Sequence, residues 1–410
     1  MKRRELVGLF ALAVAVRVGY VLFFDPVVRP ISDGGNYHLL ADDIAHGRGY
    51  ISPYDWAFLH HARPTAEFAP LHPTLLAGAV LLGLGTILGQ QLFLAVVGAV
   101  TPVLTALLGW RITGDRRVAI AAGVVAAVHP ILLGSDGALM PETLYALLGT
   151  AALLTLLRDG RRWALASGLL LGAAILTRGD GVLLVPMVAV PVLGLRHGRV
   201  DRRLVELLGL VVVGVLVVVT PWLARNAARF DGQLVLSNNL GSLLNGANCP
   251  PSYEGPGIGS WTFTCADRVE VDPTDEVAAS SAMRKAGIDY ATDHAGRLPV
   301  VAAARVARAW GVLHPVGQAR AEGREGRVSG VQLAGVVADW FLLPLFALGA
   351  WRLRRRAVPL VAMVALVIGL SVVAYGNTRF REIAEPALIV GAMAGTTLTS
   401  DRRTSLTEHS

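Results

Sequence analysis

The chain has 410 residues, of which 53% are hydrophobic and only 16% charged, against roughly 25% charged residues in an ordinary soluble globule. That gap excludes a soluble single-domain enzyme, a disordered tail protein and a nucleic-acid-binding domain. The net charge of +7 lies in short arginine-rich loops between apolar runs, where basic residues set topology, so it calls for no nucleic-acid partner.

The apolar runs have the length that crosses a hydrocarbon core, and the fold class is an all-α polytopic membrane protein embedded in membrane lipids. Met1, Lys2, Arg3 and Arg4 lead straight into an apolar stretch at 6–24. No small-residue cleavage site follows, so this reads as an uncleaved first span with its N-terminus inside. Residues 25–70 are then outside. The run 71–88 is long enough to cross, which would make eleven spans. If it lies instead as a helix on the outer surface, the basic breaks at 110–117, 158–162, 196–203, 352–356 and 402–403 all fall inside. That assumption gives ten spans: 6–24, 91–111, 117–134, 142–158, 163–177, 180–196, 204–223, 329–350, 357–375 and 383–400. Three regions follow. Residues 1–226 form a transmembrane module with an outer loop at 25–90, 227–328 form an extracytoplasmic region, and 329–410 hold the last spans and a short tail. The richness in arginine fits a bacterial cytoplasmic membrane protein.

The span 163–177 is short, and Arg178 and Asp180 follow it, so it is expected to end against protein and not lipid. Residues 227–328 carry both cysteines, Cys249 and Cys265. A lone pair in an extracytoplasmic loop is most simply a disulfide, in preference to two free thiols. The stretch 298–313 sets apolar residues against Arg305 and Arg308, the pattern of a helix lying on the outer leaflet.

Five constellations carry chemistry. Asp33 follows the first span and a Pro-Ile-Ser turn. Gly34 and Gly35 permit close approach of backbone to a ligand, and Asn36 is placed to cap a helix striped by Tyr37, Leu40 and Ile44. A carboxylate just outside the membrane in such a turn can take a proton from a hydroxyl; capping that helix is the plainer role. Glu142 begins the span 142–158, where a carboxylate suits the helix dipole. It is also placed to meet Asp33 across a cavity, for acid–base work or for a metal ion. Arg178 and Asp180 at membrane depth form either a structural ion pair or a phosphate-binding site. Trp222 suits an interfacial belt. Arg225 and Asn226 follow it, and the Asn/Gly series at 238–248, Asn245 included, offers donors and acceptors to a polyhydroxylated ligand. Arg379, Arg381, Glu382 and Glu385 stand at the mouth of the last span, as a self-paired cap or as an arginine pair facing a lipid phosphate. His60, His61 and His72 share the first outer loop, where a chance cluster is a plainer reading than metal ligands. No Walker loop, H-E-x-x-H, G-x-S-x-G or Cys-His metal spacing occurs.

These motifs, in order, resemble the GT-C glycosyltransferases, in particular the bacterial family 39 type related to protein O-mannosyltransferases and the lipid A aminoarabinose transferase. The matching pieces are Arg17 in the first span, Asp33, Y-x-x-L-A from Tyr37 and H-G-x-G-Y from His46. They continue with RPTAEFAPLHPTLLA from Arg63, W-R-x-x-G-x-R at 110–116 and P-E-T at 141–143. L-T-R at 176–178, P-W-x-x-R-N at 221–226 and R-F-R-x-x-x-E-P from Arg379 complete the series. Together they run from Arg17 to Pro386. The resemblance implies a seven-span N-terminal module with two helices in the first outer loop. It also implies a polyprenyl-phosphate-linked sugar donor used from the outer side. Asp33 maps on the catalytic base and Glu142 on the second acidic position. Arg178, Arg225 and Arg379, with Arg381 beside it, are similar to positions that face the donor phosphate. Tyr37, Arg63, His72, Asn226 and Asn245 are the expected substrate-binding residues. The chain departs from the pattern at His72, where Tyr is usual, and at Gly179 and Asp180. It also lacks the C-terminal soluble domain of some relatives, which leaves a glycan, lipid or protein acceptor open.

The expected reaction is inverting transfer of a hexosyl or pentosyl group to an acceptor hydroxyl. The activated donor supplies the energy, so no nucleotide site is needed, and a divalent metal on Glu142 or His72 is left open. The rival reading, a lipid or sugar transporter or flippase, predicts an internal repeat with matching broken helices, and the sequence shows none.

Overall fold

The computed structural model describes residues 1–198, 200–272 and 274–397. The expected tail at 402–403 and the end of the last span, 398–400, lie outside the described residues. No β-strand is present among the described residues; one isolated bridge pairs Ile51 with Pro64.

Helix α1 (Arg3–Phe24) is followed by a connection to α2 (Asp33–Ala45), and α3 (Leu71–Leu81) packs beside α2. Eleven residues rise about 16 Å, half of a roughly 30 Å hydrocarbon core. The chain breaks after α3 with Gly83 at φ +82. The run 71–88 is therefore not one continuous crossing helix. Next comes α4 (Ile87–Thr113), a long apolar helix, and then α5 (Arg116–Val128) and α6 (Pro130–Gly137), bent by 43° at His129. Pro130 removes an N–H at that point, which accounts for the break.

Helices α7 (Glu142–Leu156), α8 (Arg161–Thr177), α9 (Gly179–His197) and α10 (Arg202–Arg229) form the centre. Between α8 and α10, Gly168, Gly172 and Gly214 let the backbones touch. A Cβ on Gly168 would lie 2.2 Å from the Val211 carbonyl, so this contact tolerates no side chain. Helix α9 starts as a 3-10 turn and passes through a π segment at Val185–Ala189.

The region 227–328 folds into α11 (Asn239–Ala247), α12 (Glu276–Asp293), α13 (Leu298–Ala309) and α14 (Pro315–Arg324). A disulfide joins Cys249 and Cys265. Helix α13 is not the interfacial amphipath that its pattern predicts. Arg305 and Arg308 are buried and donate to backbone carbonyls of Val372, Ala247, Ile258 and Pro256.

The last elements are α15 (Ser329–Leu353), α16 (Val358–Val373) and α17 (Glu385–Thr397). Ser329–Val373 is one 45-residue apolar run, about 68 Å if straight, too long for one crossing. The chain turns at Arg354–Ala357, where Arg354 takes φ +53. By length and composition five helical runs can cross a membrane, or six with the bent pair counted as one span. A multi-pass membrane protein follows. The largest apolar core joins α4, α5, α7, α8, α9, α10, α15, α16 and α17, and the polar site lies where α7 begins.

Candidate active site

Asp33 is the first residue of α2. Its predecessor Ser32 is the N-cap, whose Oγ accepts the Gly35 N–H at 3.1 Å. Asp33 is therefore released from the capping role, and Asn36, expected as the cap, is buried and donates to Glu67 at 3.4 Å. The glycines serve packing and not a ligand. A Cβ on Gly34 would meet the Ala138 carbonyl at 2.4 Å, and one on Gly35 the Arg29 carbonyl at 2.4 Å. This tight seat holds α2 against the segment before α7 and leaves the Asp33 side chain 34% exposed.

Glu142, the first residue of α7, is buried. Arg178 Nη1 donates to its Oε1 at 2.5 Å, Arg327 Nη2 lies 3.4 Å from its Oε2, and Arg379 Nε lies 3.7 Å from its Oε1. Three guanidinium groups from distant parts of the chain thus converge on one carboxylate. Arg379 also reaches Asp33 (Nη1 to Oδ2, 3.5 Å) and donates to the Tyr375 hydroxyl at 2.8 Å. Asp33 and Glu142, expected to meet across a cavity, are joined through this one arginine.

Each arginine has a second anchor. Arg178 ends α8 in extended geometry and holds Asp180 with two nitrogens, at 3.2 and 2.9 Å. Arg327 donates to Ser135 at 2.7 Å and lies 3.8 Å from Glu382, which accepts from Ser135. Arg178 and Arg379 are each 15% exposed, whereas Arg327 is 1% exposed. The first two reach the edge of the site; the third is interior scaffolding.

Two more carboxyls flank Asp33. Glu67 is exposed but recessed among protein atoms; that enclosure, with the negative charges of Asp33 and Glu276, pushes it up to about 7. Glu325 is raised by burial and by Asp33, with Arg379 and Arg327 opposing.

The other expected residues separate. Arg381 does not stand beside Arg379. It is fully buried, 2.9 Å from Asp339 and 3.6 Å from Glu385, because two residues along a 3-10 turn, Thr378–Arg381, point to different sides. It has no access to a lipid phosphate in this structure. Arg225 donates to the Thr65 and Tyr50 carbonyls at 2.7 and 2.6 Å and to Asn226. No described contact joins it to the Glu142 cluster. Asn226 is buried and donates to the Val235 carbonyl; Asn245 donates to the Cys265 carbonyl. Asn238 donates to Glu276 and Asn248 to the Leu244 carbonyl. These four amides, expected for a polyhydroxylated ligand, are thus engaged in holding their own loop. Tyr37 is buried between Phe68 and His72, each ring 4.8 Å away. Arg63 pairs with Asp55 at 2.5 Å.

The metal question has a definite geometry. His72 is fully buried, its Nε2 on the Leu139 carbonyl at 2.9 Å, and burial lowers it to about 4. It is a neutral packing residue. Both oxygens of Glu142 face arginines. Neither residue fits the metal role left open by the sequence. One buried group among the described residues, His129, Asp339 and Glu385, has ligand atoms within 4.8 Å of one another. Arg381 already supplies the cation there.

Sequence reasoning missed Arg327 and Ser135 altogether. Arg327 sits in a Gly/Arg/Glu-rich loop whose composition reads as solvated surface, and its partners lie 185 and 55 positions away.

Residues 65–224 match the model of the family described as dolichyl-phosphate-mannose-protein mannosyltransferase. No curated protein sequence matches the chain at a significant level. The fold is similar to that of the oligosaccharyltransferase AglB from Archaeoglobus fulgidus in complex with an inhibitory peptide and a dolichol-phosphate. That likeness has a TM-score of 0.57 and 16% identity, over 98% of this chain and 51% of that one. A second structure from Archaeoglobus fulgidus, an oligosaccharyltransferase tethered to an acceptor peptide, gives 0.53 and 16% over 99% and 51%. ArnT from Cupriavidus metallidurans bound to undecaprenyl phosphate gives 0.46 and 19% over 98% and 79%. The chain spans about half the length of the archaeal structures. The resemblance to GT-C glycosyltransferases drawn from the motifs therefore rests on a family match and on a shared fold as well.

Proposed function

We propose that the chain is an inverting glycosyltransferase that moves a sugar from a polyprenyl-phosphate donor to an acceptor hydroxyl on the extracytoplasmic side of the membrane. The observation that carries this reading is the arrangement of Asp33, Arg379 and Glu142. An accessible carboxylate lies 3.5 Å from an arginine that a buried glutamate holds from behind. A base and a cation are thereby fixed side by side, as deprotonation of a hydroxyl beside a departing phosphate requires. The family match and the dolichol-phosphate bound by the archaeal relative of similar fold support the donor class.

The acceptor oxygen attacks the anomeric carbon and gives its proton to Asp33. The bond from that carbon to the phosphate oxygen breaks in line, so configuration inverts. Arg379, and Arg178 at the same edge, meet the charge that grows on the leaving phosphate. Glu142 acts as a positioning residue for the arginines. Glu67, raised to about 7, limits the negative charge around Asp33 when it carries its proton. Hexoses and pentoses both remain within the class, and the acceptor is a glycan, lipid or protein. Ten spans, with the arginine-rich breaks inside, put Asp33 outside.

The test incubates purified protein with a panel of radiolabelled polyprenyl-phosphate sugars, wild type beside Asp33→Asn. Release of polyprenyl phosphate by wild type alone is the expected result. Equal turnover by both proteins would overturn the role of Asp33. Absence of donor binding by either would overturn the reaction class.

A further inference from the structure

A second charged recess lies at the other end of α7. Its fifteen residues separate Glu142 from Leu156 by about 22 Å. There the ends of α4, α7 and α9 meet the start of α16 around a pocket of about 530 Å³. Arg111, Arg196, Arg355 and Arg356 line it, over an apolar wall that includes Leu157 and Pro359. Arg356 and Arg352 also line an adjoining cleft of about 220 Å³. The one carboxylate in these linings, Asp115, caps α5 by accepting the Arg117 N–H at 2.7 Å.

Topology alone explains arginines on a loop; it does not explain this convergence. Two of the four are committed to helix ends. Arg111 donates to the Leu157 carbonyl at 2.6 Å, and Arg196 to the Leu156 and Arg158 carbonyls at 2.5 and 2.8 Å and to Asp159. Arg355 and Arg356 are exposed, and their side chains make no hydrogen bond or ion pair among the described residues. They stand at the N-terminus of α16, whose dipole adds positive charge to theirs. Such an end, with free guanidinium groups over a recess, is complementary to an anion. Basic pockets between membrane helices take phosphate-bearing headgroups by the same chemistry.

We propose that this pocket binds a phosphate-bearing anion, separate from the Asp33 site and held chiefly by Arg355 and Arg356. The shared chemistry admits two sources, an anionic lipid headgroup and a soluble phosphate. The test places the full-length protein in nanodiscs of phosphatidylcholine alone, of phosphatidylcholine with graded phosphatidylglycerol, and of phosphatidylcholine with graded sodium pyrophosphate. Unfolding is followed by tryptophan fluorescence. One of the two anions is expected to raise the wild-type midpoint, and the responding arm identifies the source. For Arg355→Gln with Arg356→Gln, the anion concentration giving half the shift rises at least tenfold. Arg202→Gln with Arg203→Gln, which removes two exposed arginines outside the pocket lining, is expected to respond as wild type does. Each single variant is measured as well, so a folding failure of the double variant leaves the comparison intact. Absence of a shift in wild type with either anion overturns the proposal. So does an equal shift in the pocket variants, since bulk surface charge would then account for it.

Discussion

Glu142→Gln removes the carboxylate on which three arginines converge, and its effect can be worked from the contacts. Breaking a buried ion pair by deleting one partner costs about 3–5 kcal/mol. The lower end applies here because no arginine is left without a partner. Arg178 keeps both oxygens of Asp180, Arg327 keeps Ser135 and Glu382, and Arg379 keeps Asp33 and Tyr375. The expected loss is about 3 kcal/mol. Tryptophan-fluorescence unfolding of purified protein reads it, with donor turnover measured in parallel. Turnover should fall too, because Arg379 loses its buried support and no longer holds a fixed position beside Asp33. Wild-type stability and turnover in Glu142→Gln would refute the view that this carboxylate organises the site.

Asp33→Asn should keep near-native stability, since Asp33 is partly exposed and its one ion pair is long, while turnover falls by about 10²–10⁴-fold, the usual share of a general base; normal turnover would dismiss the base assignment. His72 is lowered from 6.5 to about 4 by burial, so the folded state binds fewer protons than the unfolded state between those values. Stability present above pH 6.5 is lost as pH falls through 4, by up to about 3 kcal/mol, and His72→Leu should flatten that acid limb in unfolding curves taken against pH. Glu67 has the opposite sign: raised from 4.5 to about 7, it favours the folded state below 4.5, and that contribution disappears as pH rises through 7. Wild type should lose ground to Glu67→Gln across that window, and parallel pH curves would contradict the assignment. Replacing Cys249 and Cys265 together by Ser opens a closure with a sequence separation of 16, worth about 3 kcal/mol in the chain-entropy account, and should raise protease sensitivity of 227–328 before that of the membrane helices.

The helical, membrane-spanning character was legible because hydropathy is a property of single residues in a row. The run 71–88 shows the limit. Its apolarity continues through Gly83, just past the end of the helix, and the arguments against a crossing were the charge pattern of distant loops and the resemblance. Asp33 and Glu142 could be singled out because a lone carboxylate beside an apolar run is costly and therefore conspicuous. Their connection through Arg379 could not, since ion pairing over 346 residues leaves no local periodicity. Arg379 and Arg381 look equivalent in the sequence; the turn geometry sends one to the site and the other into the core. The asparagine series failed for another reason: amides suited to a sugar are equally suited to the carbonyls of a folded loop.

The loops around the site are fastened largely by arginine donating to main-chain carbonyls: Arg225 to Thr65 and Tyr50, Arg305 to Val372 and Ala247, Arg308 to Ile258 and Pro256. A carbonyl has no proton to gain in acid, and a guanidinium is already fully protonated there. Fasteners of this kind have no titration step, so acid that would disarm a carboxylate latch leaves them closed. The loops that frame the candidate site therefore keep these fastenings throughout the acid range.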